Sequence, residues 1–191
     1  MTLRPRIYLA GPEVFLPNAL EVGRAKVEMA AQFGFEGVFP LDAALDLQGL
    51  SKLEQARRIS LANEALMHSC DGLIANLSPF RGASMDAGTA FEIGFMRALG
   101  RPVLGYTNAR DDYRVRADAF RMRGPAPADS DRPDVEVEDF GLAENLMIEI
   151  AIIESGGTVV RDTGPADAPM SDLSGLARCL ERARALIASH S

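Results

Sequence analysis

The feature that most constrains the fold is a regular alternation of short apolar segments with longer amphipathic ones. The apolar segments predict five strands, at residues 6–10, 35–39, 71–77, 102–106 and 158–160. Helical spacing between and after them predicts helices at residues 18–33, 51–69, 89–99, 142–155 and 175–189. This alternation predicts a single α/β domain over residues 1–191, with a parallel five-stranded sheet covered by helices on both faces.

Two stretches between the strands are predicted in more detail. In the second helix, helical spacing marks five candidates for burial, which are Leu53, Ala56, Ile59, Leu66 and Met67. Residues 108–139 are rich in Arg, Asp, Pro and Ala and are predicted to form a long irregular loop. Loops of this length in a compact domain are usually functional lids or disordered segments, and the sequence leaves both open.

Charge and cysteine usage restrict the partners. The net charge is -7 and the pI about 4.9, so a nucleic acid backbone is not an expected partner. No apolar stretch approaches the length of a membrane span, and no membrane association is expected. Cys70 and Cys179 form no CxxC pair, and His68 and His190 match no metal-ligand spacing. No metal is therefore expected, and reduced, buried thiols fit a cytoplasmic protein.

The carboxyl ends of the strands are where a parallel sheet binds its ligand. The first strand ends at Gly11 and Pro12, and this turn lacks the spaced glycines of a dinucleotide or phosphate loop. No nucleotide cofactor is therefore expected. The loop and helix after the third strand contain the densest set of chemical groups, with Asp86, Gly88 and Glu92. Gly88 would let the backbone approach a ligand closely.

Glu92 has two interpretations. Thr89 and Glu92 match a capping box, in which the glutamate folds back onto the Thr89 amide, and spacing alone favours this structural role. The alternative is chemical, because a carboxylate in the first turn of a helix is kept ionised by the helix dipole. An ionised carboxylate is also what attacks an anomeric carbon. Asp86 is typical of a turn residue before a helix.

Four segments together resemble the nucleoside 2-deoxyribosyltransferase family. They are Ile-Tyr-Leu-Ala-Gly-Pro-Glu-Val-Phe at residues 7–15, the strand and loop at 71–82, Asp-Ala-Gly-Thr-Ala-Phe-Glu-Ile-Gly at 86–94, and Glu-Asn-Leu-Met at 144–147. They occur in the family's order, and from first to last they span residues 7–147, which is most of the chain. The resemblance implies a flavodoxin-like or Rossmann-like doubly wound fold.

The resemblance also implies an activity, the transfer of 2-deoxyribose between nucleobases through a covalent deoxyribosyl-glutamate. Glu92 would attack C1′ of the sugar, Tyr8 would orient that carboxylate, and Asp86 would accept a hydrogen bond from the 5′-hydroxyl. Asn145 and Met147 would come from a neighbouring subunit. The implied enzyme is a homo-oligomer with shared active sites that acts on deoxynucleosides and free nucleobases. Gly11, Pro12 and Gly88 are expected to line its substrate pocket.

One position departs from the family pattern. The family's bacterial prototype has an aspartate near the base, where this chain has Asn63. Asparagine can bind a base edge but cannot donate a proton as an acid. Asp42, Glu13 or water is left to protonate the departing base.

Two other functions stay open. Related hydrolases of deoxynucleoside 5′-monophosphates carry serine at the position of Asp86, whose carboxylate would repel a 5′-phosphate. A non-catalytic nucleoside-binding module would use Glu92 only as a helix cap, since the fold alone does not decide function.

Overall fold

The predicted parallel sheet is confirmed. The computed structural model describes residues 4–40, 45–122, 136–161 and 167–188. All strand pairs are parallel, and the order is β2-β1-β3-β4-β5. The strands are β1 (Arg6–Ala10), β2 (Glu36–Val38), β3 (Gly72–Asn76), β4 (Val103–Thr107) and β5 (Val159–Arg161). This is the doubly wound order of flavodoxin-like folds, in which the chain reverses direction across the sheet between β1 and β3 and ligands bind at that reversal.

Helices cover both faces of the sheet. Within the described residues, a 3-10 helix (Pro12–Phe15) follows β1, and the α-helices are α1 (Ala19–Gln32), α2 (Lys52–His68), α3 (Ala87–Ala98), α4 (Tyr113–Met122), α5 (Leu146–Glu154) and α6 (Ser174–Ala188). Strand side chains alternate between the two faces. Ile7 and Leu9 pack in the core formed with α1 and α6. Tyr8 and Ala10 pack in the opposite core, formed with the end of α2, α3 and α5.

Two predicted segments differ from the structure. The stretch predicted as an irregular loop at 108–139 contains α4, so that prediction was wrong for Tyr113–Met122, while residues 123–135 lie outside the described residues. The later helix begins at Leu146 and not at residue 142, because the Asn145 side chain caps it. Helix α4 is stabilised by contacts with other segments, including the hydrogen bond from the Tyr113 amide to the Leu142 carbonyl, which local composition does not report. The start of α5 is set locally by the Asn145 cap.

The burial predicted for α2 is correct only near its end. Met67 is buried, whereas Leu53 is 81% exposed and Ile59 is 43% exposed. Ala56 is exposed as well, and the prediction was wrong for these three residues because α2 reaches the core only with its last turn. Its preceding turns border a cavity, and Ile59 lies on that cavity wall.

Cys70 and Cys179 are free and buried, as predicted. Across the described ranges, no helix is both long and apolar enough to cross a membrane.

Candidate active site

The site is built around a hydrogen bond between the first strand and the third helix. Tyr8 lies in the middle of β1 and is fully buried on the face covered by α3. Its hydroxyl donates to Oε1 of Glu92 at 2.8 Å. The structure therefore places these two predicted site residues in direct contact, although 84 positions separate them in the sequence.

The capping box predicted for Glu92 is wrong. Helix α3 begins at Ala87, and Asp86 is its N-cap. Oδ2 of Asp86 accepts from the Thr89 amide at 3.0 Å and from the Thr89 hydroxyl at 3.3 Å. Asp86 therefore performs the capping that the sequence pattern had assigned to Thr89. Glu92 lies in the second turn and bonds to Tyr8, so its carboxylate is not used to close the helix.

The protonation of Glu92 is governed by burial. Removal from water raises the pKa of Glu92 to about 7, the Tyr8 hydrogen bond opposes this rise, and the nearby Asp86 charge adds to it. The predicted dipole effect loses force, because it decays within the first helical turn. Burial and the neighbouring Glu92 also raise the pKa of Tyr8 far above its usual range, so Tyr8 stays a neutral donor.

A cavity of about 430 Å³ lies between α2 and α3, and Glu92 is part of its wall. This volume suits a small organic ligand. The cavity brings together three of the predicted site residues, which are Asn63, Gly88 and Glu92. Its other lining residues are Ala56, Ile59, Ser60, Glu64, Met67 and Phe91.

Glu64 is a further carboxylate on the cavity wall that the sequence patterns did not indicate. It lies beside Asn63 on α2, is half-buried, and brings a second carboxylate to the cavity wall. Ser60 donates to its Oε1 at 3.3 Å. The available signal was the helical spacing of Ser60, Asn63 and Glu64 with Met67, which puts these polar groups on one side of α2.

Asp86 adjoins the cavity through Gly88. A Cβ built on Gly88 would lie 3.0 Å from Oδ2 of Asp86, and Gly88 lines the cavity. Both hydrogen bonds to Asp86 go to Oδ2. Within the described part of the chain, no group donates to its Oδ1, so this oxygen has capacity to accept from a ligand.

The loop after β1 does not line the cavity. Gly11 has φ 154°, and a Cβ there would lie 2.0 Å from Oε2 of Glu13. Pro12 begins the 3-10 helix and is buried. Neither Gly11 nor Pro12 belongs to the cavity wall, so the structure does not bring them into the predicted pocket.

Glu13 is unsuited to the role of acid that the sequence had left open. Its side chain is fully buried, and its Oε1 accepts from Lys26 Nζ at 2.9 Å, from Asn76 Nδ2 at 3.0 Å and from the Tyr106 hydroxyl at 3.0 Å. Its Oε2 is buried without a hydrogen-bond partner among the described residues, but Glu13 does not line the Glu92 cavity, so it has no contact with a base bound there. Asp42, the other open candidate, lies outside the described residues.

Asn145 and Met147 are placed at the exposed start of α5. Oδ1 of Asn145 accepts from the Met147 amide at 3.0 Å and caps the helix. The Glu138 carboxylate accepts hydrogen bonds from the Asn145 side-chain amide and from the Leu146 backbone amide, which further stabilises the start of α5. Met147 is 70% exposed. Neither Asn145 nor Met147 lines the cavity of its own chain.

The chain as a whole is similar to known proteins. The family model described as nucleoside 2-deoxyribosyltransferase matches residues 7–147. The uncharacterized protein C191.05c of Schizosaccharomyces pombe is 34% identical over 172 residues, which is 83% of this chain and 82% of that protein.

Two solved structures resemble the fold. The 2-desoxiribosyltransferase from Leishmania mexicana has a TM-score of 0.61 and 25% identity, covering 93% of this chain and 97% of its own. A conserved protein from Enterococcus faecalis V583 has a TM-score of 0.57 and 23% identity, covering 94% and 99%.

Proposed function

Because the chain belongs to the nucleoside 2-deoxyribosyltransferase family, we propose that it transfers 2-deoxyribose between nucleobases by double displacement at Glu92. The observation that supports this most directly is the position of the Glu92 carboxylate. It lies on the wall of a 430 Å³ cavity, and its Oε1 is held by the Tyr8 hydroxyl. No described residue donates to its Oε2, which is therefore the oxygen left to attack a substrate.

The reaction consists of two displacements at C1′. Glu92 attacks C1′ of the deoxynucleoside, the C1′–N bond breaks, and its electron pair leaves with the base, which takes up a proton. A second base then attacks C1′ through a ring nitrogen, the ester bond to Glu92 breaks, and the incoming base loses its proton. Two inversions give net retention. Tyr8 keeps the carboxylate oriented and favours its ionised form.

Glu64 is the side chain best placed to exchange a proton with the base. It shares the cavity wall with Glu92, whereas Glu13 is enclosed by protein groups and Asn63 has no acidic proton. Asn63, one residue earlier on α2, hydrogen-bonds the base edge. The acid that seemed missing from the family pattern is thus provided by the neighbouring position on the same helix.

The sugar end of the site favours a nucleoside over a nucleotide. Oδ1 of Asp86 accepts a hydrogen bond from the 5′-hydroxyl, since Oδ2 is used to cap α3. A 5′-phosphate at the same place would bring like charges together, which costs several kcal/mol near a protein surface at about 4 Å. Transfer is therefore preferred here to hydrolysis of deoxynucleoside 5′-monophosphates.

A second copy of the chain completes the site in this proposal. Helices α3 and α5 pack against each other, and both expose apolar side chains to solvent. Phe91 on α3 is 57% exposed, and Met147 and Ile153 on α5 are 70% and 46% exposed. Exposed apolar residues grouped in this way are typical of subunit contacts. A neighbouring copy packed on this face would present its Asn145 and Met147 to the cavity.

Mass spectrometry of the intact protein tests the proposal. Incubation with deoxyadenosine and no acceptor base is expected to add one deoxyribosyl group, and peptide mapping is expected to place it on Glu92. Glu92→Ala removes the adduct and base exchange, whereas Glu54→Ala, a carboxylate change on the exposed start of α2, leaves both intact.

Three outcomes would contradict the proposal. Undiminished base exchange in Glu92→Ala would exclude Glu92 as the nucleophile. Faster consumption of deoxynucleoside 5′-monophosphates without exchange would instead support the hydrolase. Binding of deoxyadenosine with neither adduct nor turnover would support a nucleoside-binding module.

A further inference from the structure

An ion pair outside the cavity connects three loops at the carboxyl edge of the sheet. Arg116 on α4 and Glu144, just before α5, meet through Nη2 and Oε2 at 3.2 Å. The Arg116 side chain is 9% exposed and that of Glu144 is 0% exposed. A buried charge is stable only when ion pairing and hydrogen bonds compensate for its lost hydration. Most donors and acceptors of this pair are therefore expected to have protein partners.

The Glu144 carboxylate is saturated with donors. Its Oε1 accepts from the Ser84 hydroxyl at 2.7 Å and from the Asn145 amide at 3.0 Å. Its Oε2 accepts from the Met85 amide at 3.1 Å in addition to Arg116. Two of these four donors, Ser84 and Met85, belong to the loop that leads directly into Asp86.

Arg116 also hydrogen-bonds to the loop that leads into Asp86. Its Nε donates to the Ala83 carbonyl at 3.0 Å, Nη1 to the Asp111 carbonyl at 2.7 Å and Nη2 to the Ala143 carbonyl at 2.7 Å. The planar guanidinium fixes these directions simultaneously, which a lysine could not do. Together with Glu144, it makes hydrogen bonds to three consecutive residues, 83–85.

We propose that Arg116 and Glu144 are positioning residues that set the place of Asp86 against the sugar. This inference rests on the proposed function, in which Asp86 accepts the 5′-hydroxyl. Neither residue lines the Glu92 cavity, so they act through the backbone of residues 83–85. A small displacement of Asp86 is enough to weaken its hydrogen bond to the 5′-hydroxyl, because such a bond depends steeply on distance and angle.

The test compares two substrates, 2′-deoxyadenosine and 2′,5′-dideoxyadenosine, which lacks the 5′-hydroxyl. Glu144→Gln keeps the shape of the side chain and removes its charge. It is expected to lower kcat/KM about tenfold for 2′-deoxyadenosine, chiefly through KM, and less than about threefold for the dideoxy substrate. Arg116→Met is expected to behave in the same way. Their losses in the double variant are expected to be far from additive, since both act through one loop.

Controls separate positioning from a general loss of structure. Arg114 lies on the same helix as Arg116 and forms an exposed ion pair with Asp118. Arg114→Met breaks that pair and is expected to leave the ratio of kcat/KM for the two substrates unchanged. Ser84→Ala removes a single donor to Glu144 and gives a milder version of the effect if the other variants fold poorly.

The outcomes distinguish this inference from the proposed function. Equal losses with both substrates in Glu144→Gln and in Ser84→Ala would overturn the positioning role. Absence of base exchange in the unaltered protein would instead refute the transferase itself.

Discussion

Replacing Tyr8 with phenylalanine removes the hydroxyl that holds Glu92 and changes little else. The hydrogen bond lies at 2.8 Å, its acceptor is a carboxylate, and Tyr8 is fully buried. A hydrogen bond to a charged group contributes about 1.5–3 kcal/mol, and one pKa unit corresponds to about 1.4 kcal/mol. The pKa of Glu92, about 7 in the unaltered protein, is therefore expected to rise by about 1–2 units.

The pH dependence of kcat/KM measures this change. The nucleophile must be ionised, so activity in the unaltered protein is expected to rise with pH through about 7. In Tyr8→Phe, the acidic limb is expected to move up by about 1–2 pH units, with activity at pH 7 falling about tenfold and partly recovering at pH 9. Tyr106→Phe is the matched control, because its hydroxyl bonds Glu13 and not Glu92. An unmoved limb in Tyr8→Phe would refute the electrostatic role of Tyr8.

Three further predictions concern the charged side chains of Glu92, Glu64 and Lys26. Folding raises the pKa of Glu92 from 4.5 to about 7, so the free energy of unfolding falls as pH rises between these values. In urea unfolding, Glu92→Gln is therefore expected to be more stable than the unaltered protein by about 1–3 kcal/mol at pH 8 and equally stable at pH 4. Glu64→Gln is expected to slow base exchange about 10²-fold while Glu54→Gln does not, and equal rates in stopped assays would exclude Glu64 as the acid. Lys26→Met leaves the Glu13 carboxylate buried without its cation and is expected to lower the free energy of unfolding by about 3–5 kcal/mol. Adding Glu13→Gln to the same chain is expected to restore most of that stability. A decrease below about 1 kcal/mol in Lys26→Met would contradict this account of the pair.

Local patterns in the sequence were enough to predict the architecture. Every predicted strand and helix is present, because apolar periodicity is a direct consequence of burying one side of an element. Alternation of the two types then requires parallel strands with crossover helices. The carboxyl edge of the sheet, where Asp86 and the loop after β3 lie, follows from that topology alone. Membership in the family was equally readable, because its motifs are short and contiguous.

What only the tertiary structure decided depends on residues far apart in the chain. Sequence spacing could not decide whether Glu92 folds onto its own helix end or faces another element. The cap proves to be Asp86, a local contact three residues from Thr89, and Glu92 bonds instead to Tyr8, 84 positions away. Burial in the folded chain raises the pKa of Glu92 to about 7, and the hydrogen bond that opposes this rise comes from Tyr8, 84 positions away. The Arg116–Glu144 pair likewise joins positions 28 residues apart. Periodicity indicates which side of an element can be buried, and in α2 even this held only for the last turn. Protonation and orientation depend on which distant groups become neighbours when the chain folds.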